Sequence, residues 1–173
     1  MFCYESMGEN TSLFVANKLA YLMQRLGESS FKRLQFKASH YGPYNVQVDH
    51  LVLKGLEQMK LTAFEPIGLR YDKISEVGRY IKKELDSKQI DRLKRLITLI
   101  NGFQSAFSLE LLASVDFIRK ENPGISREDA IKEIKNWSSR KEHLFKERYI
   151  TIAYDHLEQY ASKFGFYASP LFH

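Results

Sequence analysis

Along this chain the apolar positions fall into helical rhythm more often than into strand-like alternation. Val15, Leu19, Leu22, Met23 and Leu26 recur at three- and four-residue intervals, with Thr11 or Ser12 placed to cap the start and Gly27 to stop the end. That spacing predicts an amphipathic helix from about Ser12 to Leu26. The next segment, RLQFKASHYGPY, changes period: Leu34 and Phe36 alternate with Gln35 and Lys37 as in a short strand, and Gly42-Pro43 predicts a turn. Helical spacing returns from Asn45, a candidate cap, through Val48, Leu51, Val52, Leu56 and Met59.

The stretch KLTAFEPIGLRYD mixes β-branched and aromatic residues but is broken by Pro66 and Gly68, so it reads as a short strand or an ordered loop. Helices follow. Asp72 or Ser75 opens one that reaches about Leu85, and Ser87 opens another with Ile90, Leu93, Ile97 and Ile100 as its inward stripe. Ser108 to about Glu121 carries Leu109, Leu112, Val115 and Phe117 and ends at Asn122-Pro123-Gly124. Ser126 with Asp129 resembles a capping box and starts a helix that turns Ala130, Ile131, Ile134 and Trp137 inward, ending near Ser138-Ser139. A last helix presents Ile150, Ala153, Leu157, Tyr160 and Phe164 before Gly165. No linker or repeat divides the series. The expectation is one domain over 1–173, mainly α and compact, with a small β element.

Composition supports that picture. The chain has 173 residues, 44% hydrophobic and 27% charged, and its twelve Phe and ten Tyr against nine Gly and four Pro give many large side chains to bury and few enforced breaks. The lone cysteine, Cys3, permits neither an intrachain disulfide nor a thiolate metal cluster, and no apolar stretch approaches the length of a membrane span. A reducing, cytoplasmic setting is the expectation, with no membrane partner.

Lys and Arg number 26 against 21 Asp and Glu, a net charge of +5. Many of the cations sit beside acids, as in Lys82-Lys83-Glu84, which suits a solvated mixed surface better than a dedicated phosphate face. Motifs for chemistry are sparse. The histidines His40, His50, His143, His156 and His173 include no i, i+4 pair for a metal, and no nucleophile elbow, phosphate-binding glycine loop or dinucleotide fingerprint occurs. The expectation is therefore a binding protein, not an enzyme, with no metal and no cofactor. Basic and aromatic residues interleave in Arg140, Lys141, Phe145, Lys146, Arg148 and Tyr149. They suit a turn whose apolar members dock on the core, or the extended basic turn of a winged-helix-like domain that meets DNA.

Three stretches carry a family resemblance: KLAYLMQRLGE at 18–28 with KASHYGPY at 37–44, LITLINGFQSAFSLELLASVDFI at 96–118, and WSSRKEHLFKERYITIAYDHL at 137–157. Together they resemble the carboxy-terminal domain of DarG-type antitoxins and, more loosely, the SocA-like or Panacea antitoxin group. In that family the domain follows a macrodomain that reverses ADP-ribosylation of thymidine in DNA. The resemblance implies that the present domain binds a DarT-like toxin, and the macrodomain's glycine-rich loops have no counterpart here. A mimic of DNA would be acidic, so the net charge of +5 argues for binding by other means.

The leading expectation is an antitoxin-like interaction domain that neutralises or recruits an intracellular toxin or nucleic-acid-modifying partner in a defence system. Its candidate contacts are His40, Tyr41, Tyr44, Arg140 and Lys141 at the surface. The alternative is a nucleic-acid-binding accessory domain of a restriction or other defence system, using Lys88, Arg92, Arg95, Arg140 and Lys146. The sequence sets no oligomeric state.

Overall fold

A serine and a glycine frame the first long helix. In the computed structural model, which describes residues 1–5, 7–58 and 74–165, the Ser12 hydroxyl accepts the Val15 N–H at 3.2 Å. Gly27, at φ +84°, reverses the chain at the other end. Between them lies α2 (Leu13–Arg25), preceded by one turn, α1 (Phe2–Glu5). After a 3-10 turn at Ser29–Phe31 come two short antiparallel strands, β1 (Lys37–Ser39) and β2 (Gly42–Tyr44), then α3 (Val46–Gln58). The chain continues as α4 (Ile74–Glu84), α5 (Ser87–Leu99), α6 (Ala106–Glu121), α7 (Arg127–Trp137), α8 (Ser139–Leu144) and α9 (Glu147–Phe164). The fold is mainly α with a small two-stranded antiparallel sheet.

Helix α6 is the axis of the core. Every residue from Leu109 to Ile118 is buried, because α2, α7, α9 and β2 enclose the helix on all sides. Leu109, Leu112, Val115 and Phe117 meet Leu22, Tyr21, Ile134, Ile150 and Leu157 in one continuous apolar cluster. Burial on every side also traps three polar side chains, Glu110, Ser114 and Asp116. Each needs a partner inside the protein. Asp116 receives the Tyr21 hydroxyl at 2.6 Å and the Arg25 Nε–H at 2.8 Å.

Several expectations are corrected. Leu34 and Phe36 precede the strand they were expected to form, and the hairpin turns at His40-Tyr41, with Gly42 and Pro43 inside β2. A two-stranded sheet is all edge, so a proline is tolerated there. The inward stripe of α5 is Leu96, Leu99 and Ile100, while Ile90, Leu93 and Ile97 are only half-buried. The cause is packing against α2 and α9, where Tyr160 Oη donates to the Arg95 carbonyl and His156 Nε2 meets the Leu99 carbonyl at 2.7 Å. The caps shift too: Asp86 caps α5 with Gln89 completing a capping box, and Ser105 caps α6. The basic turn expected of a winged helix is mostly helical: Arg140 and Lys141 lie in α8, begun by the Ser138 cap, Arg148 and Tyr149 lie in α9, and only Phe145 and Lys146 join the two; among the described residues the hairpin of 37–44 is the only sheet. The strand or loop expected over 60–72 lies outside the described residues. Among those described, no helix is long and apolar enough to cross a membrane.

Candidate functional site

The three stretches that carried the resemblance converge on one carboxylate. Glu110, on the first turns of α6, is 1% exposed. Its Oε1 accepts both Lys141 Nζ, at 2.6 Å, and Arg140 Nη1, at 2.7 Å, from α8. Lys141 also donates to Ser114 Oγ at 3.1 Å, one helical turn along α6. Its ammonium lies over the Trp137 and Phe145 rings, 5.1 and 4.7 Å from their centroids. Burial holds the Lys141 ammonium below the usual lysine range, against the pull of Glu110, and the Arg140 charge adds to the depression.

The hairpin closes over this pair. Lys18 of α2 is 1% exposed and donates from Nζ to the Pro43 carbonyl at 3.0 Å, while Trp137 Nε1 donates to the Ser39 carbonyl at 3.0 Å. Gly42 sits between them at φ +92°, where a Cβ would stand 2.7 Å from Ser114 Oγ. Only glycine meets both the backbone and the contact requirement. Burial brings Lys18 down to about 8; Glu110 and Asp49 oppose the shift and Lys141 adds to it. Next to Lys18, Asn17 and Asp49 tie α2 to α3. Asn17 Nδ2 donates to Asp49 Oδ1 at 2.6 Å, Tyr44 Oη donates to Asp49 Oδ2 at 2.6 Å, and the Asn45 N–H reaches Asn17 Oδ1 at 2.8 Å. The hydrogen bond to the Asp49 carboxylate, then burial, keeps the Tyr44 phenol protonated above its ordinary range. A cleft of about 360 Å³ opens here among Phe14, Lys18, Tyr41, Tyr44 and Asp49.

The hairpin thus anchors an exposed tip on a rigid base. His40 and Tyr41 form the two-residue turn, and Tyr41 is 47% exposed. Its ring stands edge-on to Phe14 at 6.0 Å and to His40 at 4.8 Å, with the Arg140 guanidinium over its face at 4.7 Å. Four of the five expected partner contacts, His40, Tyr41, Tyr44 and Arg140, are therefore brought together around the hairpin. Lys141 is the exception. Expected at the surface, it is fully buried, because its ammonium completes the Glu110 and Ser114 pair.

The alternative nucleic-acid set does not form one patch. Arg92 pairs with Glu28 at 3.2 Å beyond the end of α2, and Arg95 pairs with Asp91 at 2.8 Å along α5. Arg140 lies by the start of α2, about 20 Å away along a 13-residue helix. Lys88 is exposed on α5, and Lys146 lines a shallow groove of about 640 Å³ with Lys135, His143 and Arg148 but also Glu142 and Glu147. Glu110, Lys18 and Ser114 were missed among the sequence candidates. Their signal was present only inside the motifs SLELLASV and KLAYLMQRLGE.

No family model matches the chain. It is 24% identical over 135 residues to proteins named DNA ADP-ribosyl glycohydrolase from Mycobacterium bovis and Mycobacterium tuberculosis, an alignment covering 72% of this chain and 38% of each relative. A protein of the same name from Thermus aquaticus is 26% identical over 160 residues, 89% of this chain and 43% of its own length. The chain thus spans about two fifths of the length of these relatives. Their name overturns the expectation of a protein outside enzymology, because each is called an enzyme. The resemblance read from the sequence stands at this coarser level: weak similarity to DNA ADP-ribosyl glycohydrolases over most of the chain.

Proposed function

We propose that this chain is an antitoxin-like interaction domain, related to part of the DNA ADP-ribosyl glycohydrolases, that binds and neutralises or recruits an intracellular toxin or nucleic-acid-modifying partner. The observation that carries the reading is the convergence on Glu110. The segments resembling DarG-type antitoxins meet at one junction, and that junction supports an exposed aromatic tip instead of a closed core. His40, Tyr41 and Tyr44 on the hairpin and Arg140 beside it on α8 are the contacts, while Lys18, Glu110, Ser114 and Lys141 hold the base on which the hairpin stands. An anchored aromatic and a partly exposed arginine are the residue types that dominate protein–protein binding energy. The resemblance points to a DarT-like toxin as the partner.

The test is to coexpress the chain with the product of its neighbouring gene and purify by a tag on either one. Stable copurification, weakened by Tyr41→Ala, is the expected result; a toxin-like neighbour that never copurifies contradicts the reading. The relatives' name supports a second reading, removal of ADP-ribose from DNA. Its measure is release of ADP-ribose from an ADP-ribosylated oligonucleotide, and release abolished by Asp49→Asn would place that chemistry at the cleft beside Lys18.

A further inference from the structure

Around Glu110 the charges do not balance. Two cations, Arg140 and Lys141, bond to the same carboxylate oxygen, and Lys18 is buried nearby with Glu110 and Asp49 as its acidic neighbours. Three cations against two carboxylates leave one positive charge in excess. Lys18 and Lys141 are both buried, and of the three cations only Arg140 reaches the surface, its side chain 28% exposed. A guanidinium offers five N–H donors in a fixed fork that suits a carboxylate.

Exposed apolar side chains stand on the same two helices, α6 and α8, which meet where the Phe107 ring packs on Phe145, the residue after Leu144, at 5.3 Å. Leu144 follows Arg140 one turn along α8 and is 43% exposed; Phe107 lies one turn before Glu110 on α6 and is 39% exposed. The Phe107 ring meets Tyr149 at 6.1 Å, and the Arg148 guanidinium covers Tyr149 at 4.7 Å. With Tyr41 under Arg140, the stripe is aromatic or apolar in the middle and carries an arginine toward each end. That composition, rich in Tyr, Phe and Arg, is the one enriched at the centre of protein interfaces. Bases need open aromatic faces on which to stack, whereas each arginine here lies on a tyrosine and occupies that face.

We infer that the stripe Tyr41–Arg140–Leu144–Phe107–Tyr149–Arg148 is a docking surface for an acidic protein segment, which sets a carboxylate on Arg140 and apolar side chains on Leu144 and Phe107. This rests on the partner-binding reading above and names the chemistry of the partner. A defined probe separates the two. Amide NMR shifts of the full chain would be followed during titration with a synthetic peptide of alternating glutamate and leucine or phenylalanine, and in parallel with an oligothymidylate of equal length and charge. The peptide should shift residues 40–41, 107 and 140–149 saturably. Leu144→Asp, which adds a like charge at an exposed site, should weaken binding about tenfold, and Lys88→Glu, on α5, should change it by less than about threefold. No saturable shift with the peptide, equal weakening by Lys88→Glu, stronger shifts of these amides with oligothymidylate, or self-association that Leu144→Asp abolishes would each overturn the proposal. Peptide binding at the stripe with no copurifying toxin would leave this surface standing and remove the toxin assignment.

Discussion

The hairpin junction and the α5 face both bring arginines against buried glutamates, yet they are built differently. On the α5 side the pairing is one to one: Glu28, 4% exposed, takes Arg92 at 3.2 Å along with the Ser30 N–H and hydroxyl at 3.0 and 2.8 Å. Burial alone would raise the Glu28 carboxyl, but those hydrogen bonds and the Arg92 charge bring it below the usual range. At the junction one carboxylate serves two cations, and a third is enclosed beside it. On the α5 side Arg92 and Arg95 each have a separate acid, whereas at the junction Arg140 and Lys141 share Glu110. The difference lies in how the cations are held, so that loss of Glu110 strands two of them where loss of Glu28 strands one.

The largest expected effect tests that contrast at its base. Glu110→Ala leaves Arg140 and the buried Lys141 without their shared acceptor and should cost roughly 3–5 kcal/mol, more than Glu28→Ala, whose arginine turns out to water. Urea denaturation of the two variants decides it, and an equal or reversed order breaks the comparison. Gly42→Ala should follow at about 2–3 kcal/mol, since it combines φ +92° with the 2.7 Å approach to Ser114. Gly27→Ala, at φ +84° with open space around the new methyl, should cost about 1 kcal/mol. Pairing Ser114→Ala with Gly42→Ala should recover part of the difference.

Solution pH sharpens the contrast further. Lys18 is brought down to about 8 from an ordinary 10.5, so above pH 8 the unfolded chain binds a proton that the folded chain has released. Stability therefore rises with pH from about 8, by up to about 1.4 kcal/mol per pH unit, and Lys141, shifted in the same direction, adds to the trend. Tyr4 and Tyr160, buried and pushed up to about 12, act oppositely once the unfolded tyrosines ionise near 10. The window for the rise is thus about pH 8 to 10. Unfolding midpoints at pH 7 and 9 should show it in the parent chain and show less of it in Lys18→Met; an identical slope in both would count against a buried Lys18. The smallest effect belongs to α5, where Arg95→Ala should change stability by about 0–1 kcal/mol, because Asp91 and its arginine are both well exposed.

The helices were readable wherever the local chemistry was self-contained. Ser12, Ser126, Asn45 and Gly165 act as the cap or stop their residue type predicts, because capping is settled within four residues. The hairpin was misplaced, since Gly42 suits a turn or a close approach equally well and Ser114, which decides the matter, lies 72 positions away. Lys141 was misread for the same reason. A lysine in a charged run reads as solvated unless the run is known to face a buried carboxylate, and that carboxylate sits in an apolar helix on another segment. The motifs resembling a known family located the junction more closely than periodicity did, without revealing that their charged members bond to one another.

The most direct measurement is calorimetric binding of the copurified partner to the parent chain, to Tyr41→Ala and to the Arg92→Ala/Arg95→Ala pair, with folding of each variant checked by thermal unfolding. The hairpin account predicts at least about tenfold weaker binding for Tyr41→Ala and little change for the α5 pair. Retained affinity in Tyr41→Ala, with loss in the α5 pair, would contradict it.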